Sequence, residues 1–165
     1  MTKARSNSYG TVTLGSTILT LGSTTTSVSG LGLPSSILTS PSEFTNIVAA
    51  APTATNNIDI LTSQDWLFTT NTANSFAPNI RGDGSNTLNT IMSIGHTKAV
   101  SIRVTNGTTA WYITAITIDG VAQTVKWQGS APTSGNASAS DIYSFAITKT
   151  AASTYTVLGI QTKFV

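Results

Sequence analysis

Cysteine is absent from the 165 residues, histidine occurs once, and charged side chains make up only 8% of the chain. Without cysteine there are no disulfides, no thiol nucleophile and no thiolate metal site. A single histidine, His96, leaves little for a hydrolytic triad. The chain lacks the Gly-x-Ser-x-Gly elbow that would present a serine to it. Charge is far below the usual share of about 25%. The basic residues stand singly from Lys3 to Lys163, and the net charge is +2. That leaves no basic patch for nucleic acid, and none is expected as a partner. Low charge also raises the question of a membrane, but no apolar run approaches the ~20 residues that span a bilayer. Lys3 and Arg5 are followed by Ser6-Asn7-Ser8 rather than an apolar stretch, so neither a signal peptide nor membrane insertion is expected.

Serine and threonine supply the polarity, at roughly a third of the residues and far above ordinary usage. Valine, isoleucine and leucine run throughout, so the chain does not combine low hydrophobicity with high charge as disordered segments do. β-Branched threonine and valine favour the pleated strand. The expected class is all-β: an antiparallel, jelly-roll-like β-sandwich preceded by an extended β-repeat arm. At this length one core and one main domain are expected.

The first 40 residues read as the arm. Thr13-Leu14-Gly15-Ser16-Thr17 recurs as Thr20-Leu21-Gly22-Ser23-Thr24. The period of seven does not make a coiled coil, because the segment is Gly- and Thr-rich and lacks charged flanking positions. In one uninterrupted strand an odd period would put Leu14 and Leu21 on opposite faces. Two readings stay open: the Gly-Ser pairs turn or bulge and reset the face, or the strand is buried on both faces. A lone arm cannot cover these side chains, so Val12, Leu14, Ile18, Leu19, Leu21 and Val28 are the expected contact with sister chains or with a docking partner. The alternative is a first hairpin of the sandwich. Pro34 and Pro41 punctuate the chain and place the boundary near residue 41, with the sandwich over 41–165.

Short strands separated by turns follow. Glu43–Ala49 opens, then the Ile58–Ile60 and Trp66–Phe68 pairs, and Phe76–Ile80 leads into Gly82-Asp83-Gly84-Ser85. Leu88, Ile91 and Met92 fall at helical spacing. Val100, Ile102 and Val104 alternate up to Asn106-Gly107, which signals a hairpin into a strand over Trp111–Ile118. Asp119-Gly120 signals a second hairpin, and Val121, Val125 and Trp127 share one face of the returning strand. Ser130–Ser140 reads as a loop, and Ile142–Thr148 and Tyr155–Phe164 as the last two strands.

Chemistry is sparse. The acids are Glu43, Asp59, Asp65, Asp83, Asp119 and Asp141; Asp83 and Asp119 belong to turns, and nothing sets two others at glycosidase spacing. Arg81-Gly82-Asp83 spells an attachment tripeptide but is also ordinary turn chemistry. Neither cofactor nor metal is expected, no catalytic residue is assigned, and the chain does not read as an enzyme. Trp111 and Trp127 are candidates to stack on a sugar, against the default that large aromatics pack in a core or subunit contact.

From Glu43 onward the chain resembles a C-terminal domain of marine tailed-phage proteins, of the cyanophage and pelagiphage type, known as tail fibres or virion structural proteins. The resemblance rests on Asn79-Ile80-Arg81-Gly82-Asp83-Gly84 with Thr87-Leu88-Asn89, on Val104-Thr105-Asn106-Gly107, and on Ile118-Asp119-Gly120. It extends through Lys126-Trp127-Gln128-Gly129-Ser130-Ala131-Pro132 to Ser134-Gly135-Asn136-Ala137-Ser138, and to Tyr155–Gly159 with Gln161–Phe164. It implies a bacteriophage structural protein located in the virion. The expected form is a short tail-fibre or appendage component, self-associated as a homotrimer and joined to other virion proteins, with a host-surface glycan as a further partner. Because only some 40 residues precede the domain, a capsid decoration protein on the head is the alternative.

Overall fold

The structure, a computed structural model, describes residues 11–14, 17–20 and 42–165. The chain divides into two compact units, Met1–Pro41 and Ser42–Val165. In the first, β1 (Thr11–Leu14) and β2 (Thr17–Thr20) pair antiparallel, with Val12 opposite Leu19, Thr13 opposite Ile18 and Leu14 opposite Thr17.

In the second unit the strands are short and alternate between two sheets. They are β3 (Thr45–Val48), β4 (Asn57–Asp59), β5 (Asp65–Phe68), β6 (Asn79–Arg81), β7 (Thr97–Thr105), β8 (Ile116–Ile118), β9 (Val121–Gln123), β10 (Val125–Trp127), β11 (Ser140–Ala151) and β12 (Thr154–Phe164). The large sheet has the order β10-β12-β11-β7-β5-β3 and the small one β4-β6-β8-β9. Successive strands from β3 to β8 land in opposite sheets, so β3, β5 and β7 lie parallel in one and β4, β6 and β8 parallel in the other. β10 also runs parallel to β12.

The antiparallel jelly-roll expectation is corrected here: the protein is mostly β, with two mixed sheets. Parallel neighbours cannot be joined by a tight turn. Here the crossover that separates them is a strand of the opposite sheet.

Three local expectations fail for the same reason. Asn106-Gly107 makes no hairpin, since neither residue has positive φ and the chain leaves β7 for the small sheet. The stretch Trp111–Ile118 is not one strand: Ile113 makes an isolated parallel bridge to Phe76, and β8 begins only at Ile116. The break changes parity, so Ile113, Ile116 and Ile118 all point inward and are buried. Val121 and Trp127 belong to different sheets, divided at Thr124, and Val121 is exposed.

Asp119-Gly120 does turn tightly. Both have positive φ (51° and 81°), the pattern of a type I′ turn, and Ile118 pairs with Val121. A second tight turn at Ala152-Ser153 joins the two longest strands, β11 and β12.

One core lies between the sheets. Trp66, Phe68, Val100, Ile102, Val104, Tyr143, Phe145, Ile147 and Val157 come from the large sheet and meet Ile58, Ile80, Ile116 and Ile118 from the small one. Full burial of such a side chain contributes about 1.5–3 kcal/mol. Leu88, Ile91 and Met92 do make a helical turn, α1 (Leu88–Ile91), with Leu88 and Met92 in the core. Its ends are held from outside. Thr87 caps Thr90 N at 3.0 Å, and the Asp119 carboxylate accepts from Leu88 N at 2.7 Å and Asn89 N at 3.0 Å. Buried Lys149 donates to the carbonyls of Asn89 at 2.6 Å and Met92 at 2.8 Å, where a cation meets the negative end of the turn.

Candidate interaction face

The inner side of the large sheet is spent on the core, but its outer side is covered by nothing among the described residues. Register fixes what that side displays, because residues paired across strands share a face. One row reads Ile47–Leu67–Arg103–Ile142–Thr162, the next Thr45–Asp65–Ser101–Ser144–Ile160, and the next Ala99–Ala146–Leu158–Lys126. These are β-branched, hydroxyl and small side chains with few charges. Asp65 and Arg103 neutralise each other in an ion pair that Thr45 joins at 2.5 Å. Ile47 is 65% exposed and Leu158 51% exposed.

The face is hollow in the middle because its central residues are small. A depression of 570 Å³ is lined by Ala99, Ser144, Ala146, Leu158, Ile160 and Lys126, among others. It continues into a second of 300 Å³, bordered by Glu43, Gln64, Asp65, Ala99, Ser101 and Ser144. The second exists because β5 starts only at Asp65. The last backbone bond on that side runs from Ser101 N to Gln64 O at 2.8 Å, and Ala99 has no strand beyond it.

A separate buried polar cluster ties the loop over 130–139 to the sheet ends. The Asp141 carboxylate, fully buried, accepts from Asn106 Nδ2 at 3.0 Å, Asn136 N at 2.9 Å and Gln161 Nε2 at 3.4 Å. Thr72 donates to Asn106 Oδ1, and Gln161 donates to Tyr143 Oη at 3.0 Å. Burial pushes the Asp141 carboxyl above its ordinary range, against the hydrogen bonds it receives, and pushes the Tyr143 hydroxyl up as well. These bonds converge on Asp141 Oδ2 and hold the loop against the sheet ends, while Oδ1 is buried without a partner among the described residues.

The sequence candidates fall as follows. Val12, Leu14, Ile18 and Leu19 lie on β1 and β2, while Leu21 and Val28 are outside the described residues. Trp127 is half-buried on β10, turned to the core side and set edge-on to Phe145, with ring centroids 5.7 Å apart and planes at 66°. Trp111 is half-buried in the segment between β7 and β8, its carbonyl facing Gly135. These contacts place the two tryptophans on different elements, each beside its own neighbours. Arg81 is paired to Asp59 at 2.6 Å, and Asp83 accepts from Ser85 N and Asn86 N, both at 2.7 Å. Arg81 is thus taken up by Asp59 of β4, and Asp83 by its own turn. His96 is exposed in the turn before β7. Among the described residues no group of three His, Cys, Asp or Glu could hold a metal, and no helix is long and apolar enough to cross a membrane.

Sequence reasoning missed the outer face, because it expected an antiparallel sandwich and led the strand ending at Asn106-Gly107 into a hairpin, whereas β3, β5 and β7 lie parallel. The alternation of Ala99, Ser101 and Arg103 with Val100, Ile102 and Val104 was the available signal. Comparison with known proteins gives no match: no family model, no curated protein and no solved structure matches the chain.

Proposed function

We propose that the chain is a non-enzymatic structural component of a tailed-phage particle, a short tail-fibre or appendage protein whose β domain faces the host surface. The observation that carries this reading is the outer face of the large sheet. It is a broad surface of small, hydroxyl and apolar side chains whose one internal ion pair is self-neutralised, and it is hollowed for contact. Such a surface suits assembly or attachment rather than turnover. The phage resemblance of residues from Glu43 onward supplies the setting. In this reading the N-terminal repeats join sister chains as a homotrimer or dock them to the particle through Val12, Leu14, Ile18, Leu19, Leu21 and Val28. Trp111 is then the candidate glycan contact of the β domain, since Trp127 is turned to the core side against Phe145. Electron microscopy of particles labelled with an antibody against the β domain tests it. Label on the tail supports the reading, label over the whole head points instead to capsid decoration, and unlabelled particles refute both.

A further inference from the structure

One row of the outer face is ordered so that it complements its own reverse. Glu43 precedes Thr45 by two residues and so continues the outward side of β3, and it borders the same depression as Ala99. Read edge to edge, the row is Glu43, the open depression beside Gln64, Ala99, Ala146, Leu158 and Lys126. That is an acid, a hole, two small residues, an exposed leucine and a base. Five strand spacings separate the two charges, roughly 24 Å.

We propose that two copies of the chain pair face to face across this row, about a two-fold axis parallel to the strands and lying between β7 and β11. Three strands stand on each side of that axis. The rotation exchanges the edges of the sheet. Glu43 meets the partner's Lys126, Leu158 enters the partner's depression beside Gln64, and Ala99 lies against the partner's Ala146. Each contact then occurs twice, as an isologous interface requires. The depression measures 300 Å³, and the side chain that fills it is already 51% exposed in the single chain. Alanine against alanine lets the two sheets approach to the ~10 Å spacing of packed sheets. No unmatched charge is buried, since Asp65 and Arg103 neutralise each other within one copy. The contact uses only Ser42–Val165 and joins copies in pairs, so the copy number is even.

Light scattering of the full chain after size exclusion tests this, with Glu43→Lys, Lys126→Glu and the double variant beside the wild type. Both positions are exposed, and thermal melting confirms that each variant folds. The expected result is an even-numbered wild type, a twofold drop in mass for either single reversal, and recovery in the double variant. Leu158→Ser, which leaves the charges alone, should also halve the mass. A wild type with one copy or an odd number overturns the proposal and leaves the face to another partner. Single reversals without effect, or a double variant that stays halved, overturn it as well.

Discussion

Replacing Asp141 by alanine and by asparagine separates two things the buried carboxylate does. Alanine removes the acceptor for Asn106 Nδ2, Asn136 N and Gln161 Nε2. Asn106 is 2% exposed and Asn136 half-buried, so two donors lose their partner where water reaches them poorly. At about 1–3 kcal/mol for each orphaned donor, the cost is about 2–6 kcal/mol. Asparagine keeps an acceptor in place and sets its amide where Asp141 Oδ1 finds no partner among the described residues. That orphaned amide costs about 1–3 kcal/mol, offset in part because the substitution removes a charge that burial disfavours, so at neutral pH asparagine should lose clearly less than alanine.

The pH dependence has a definite sign. Burial raises the carboxyl of the folded protein above its ordinary value of 3.8, so the folded chain binds the proton more tightly than the unfolded one. This group's contribution to stability is therefore greatest below that value, falls as pH rises through the folded value, and is level above it. The asparagine variant lacks the step. Urea unfolding of the three full-length chains, followed by tryptophan fluorescence from about pH 3 to about pH 8, measures it. Two results would refute the reasoning: an asparagine variant as damaged as the alanine one, or a wild-type-minus-asparagine difference that does not change with pH.

Three further perturbations probe other parts of the fold. Gly135→Ala would set a Cβ 2.1 Å from Trp111 O and 2.9 Å from Asp141 Oδ2, and should cost about 3 kcal/mol or more in the same urea assay. Asp119→Ala removes the acceptor for two α1 amides and puts alanine at a φ of 51°. A loss of about 2 kcal/mol is expected, while Asp119→Asn, tolerant of that φ and still an acceptor, should lose less than half as much. Tyr155 Oη is buried without a partner among the described residues. Burial and then the Asp119 charge push its hydroxyl up to about 12. Tyr155→Phe should leave thermal stability unchanged or raise it by up to about 1 kcal/mol, and should remove a tyrosine transition near pH 12 from an ultraviolet titration. A clear fall in melting temperature would mean that the hydroxyl has a partner.

Local chemistry was legible wherever the signal stays within a few residues. Asp119-Gly120 announces its turn because both positions accept positive φ, and Leu88, Ile91 and Met92 announce one helical turn because two of them must reach the core. Tyr143, Phe145 and Ile147 alternate because β11 covers the core with one face only. The sheet topology was hidden because a three- or four-residue strand such as β4 or β6 looks alike whether its neighbour is parallel or antiparallel. Asn106-Gly107 misled for a tertiary reason. Asn106 turns inward to Asp141 and Thr72, and burial of that amide overrides the turn that the dipeptide favours in isolation. The outer face was hidden for the same cause, since Ala99 and Ala146 become neighbours only once β7 is known to lie against β11. The roles of Lys149 and Asp119 at the two ends of α1 depend on separations of 60 and 31 residues, which no local pattern contains.

The copy number of the chain in purified particles tests its place in a phage appendage most directly. If the proposed function holds, quantitative mass spectrometry against the major capsid protein, on purified tailed-phage particles, should give a few to a few tens of copies per particle, constant between preparations. Hundreds of copies would place it on the head, and its loss during particle purification would contradict a structural role in the virion altogether.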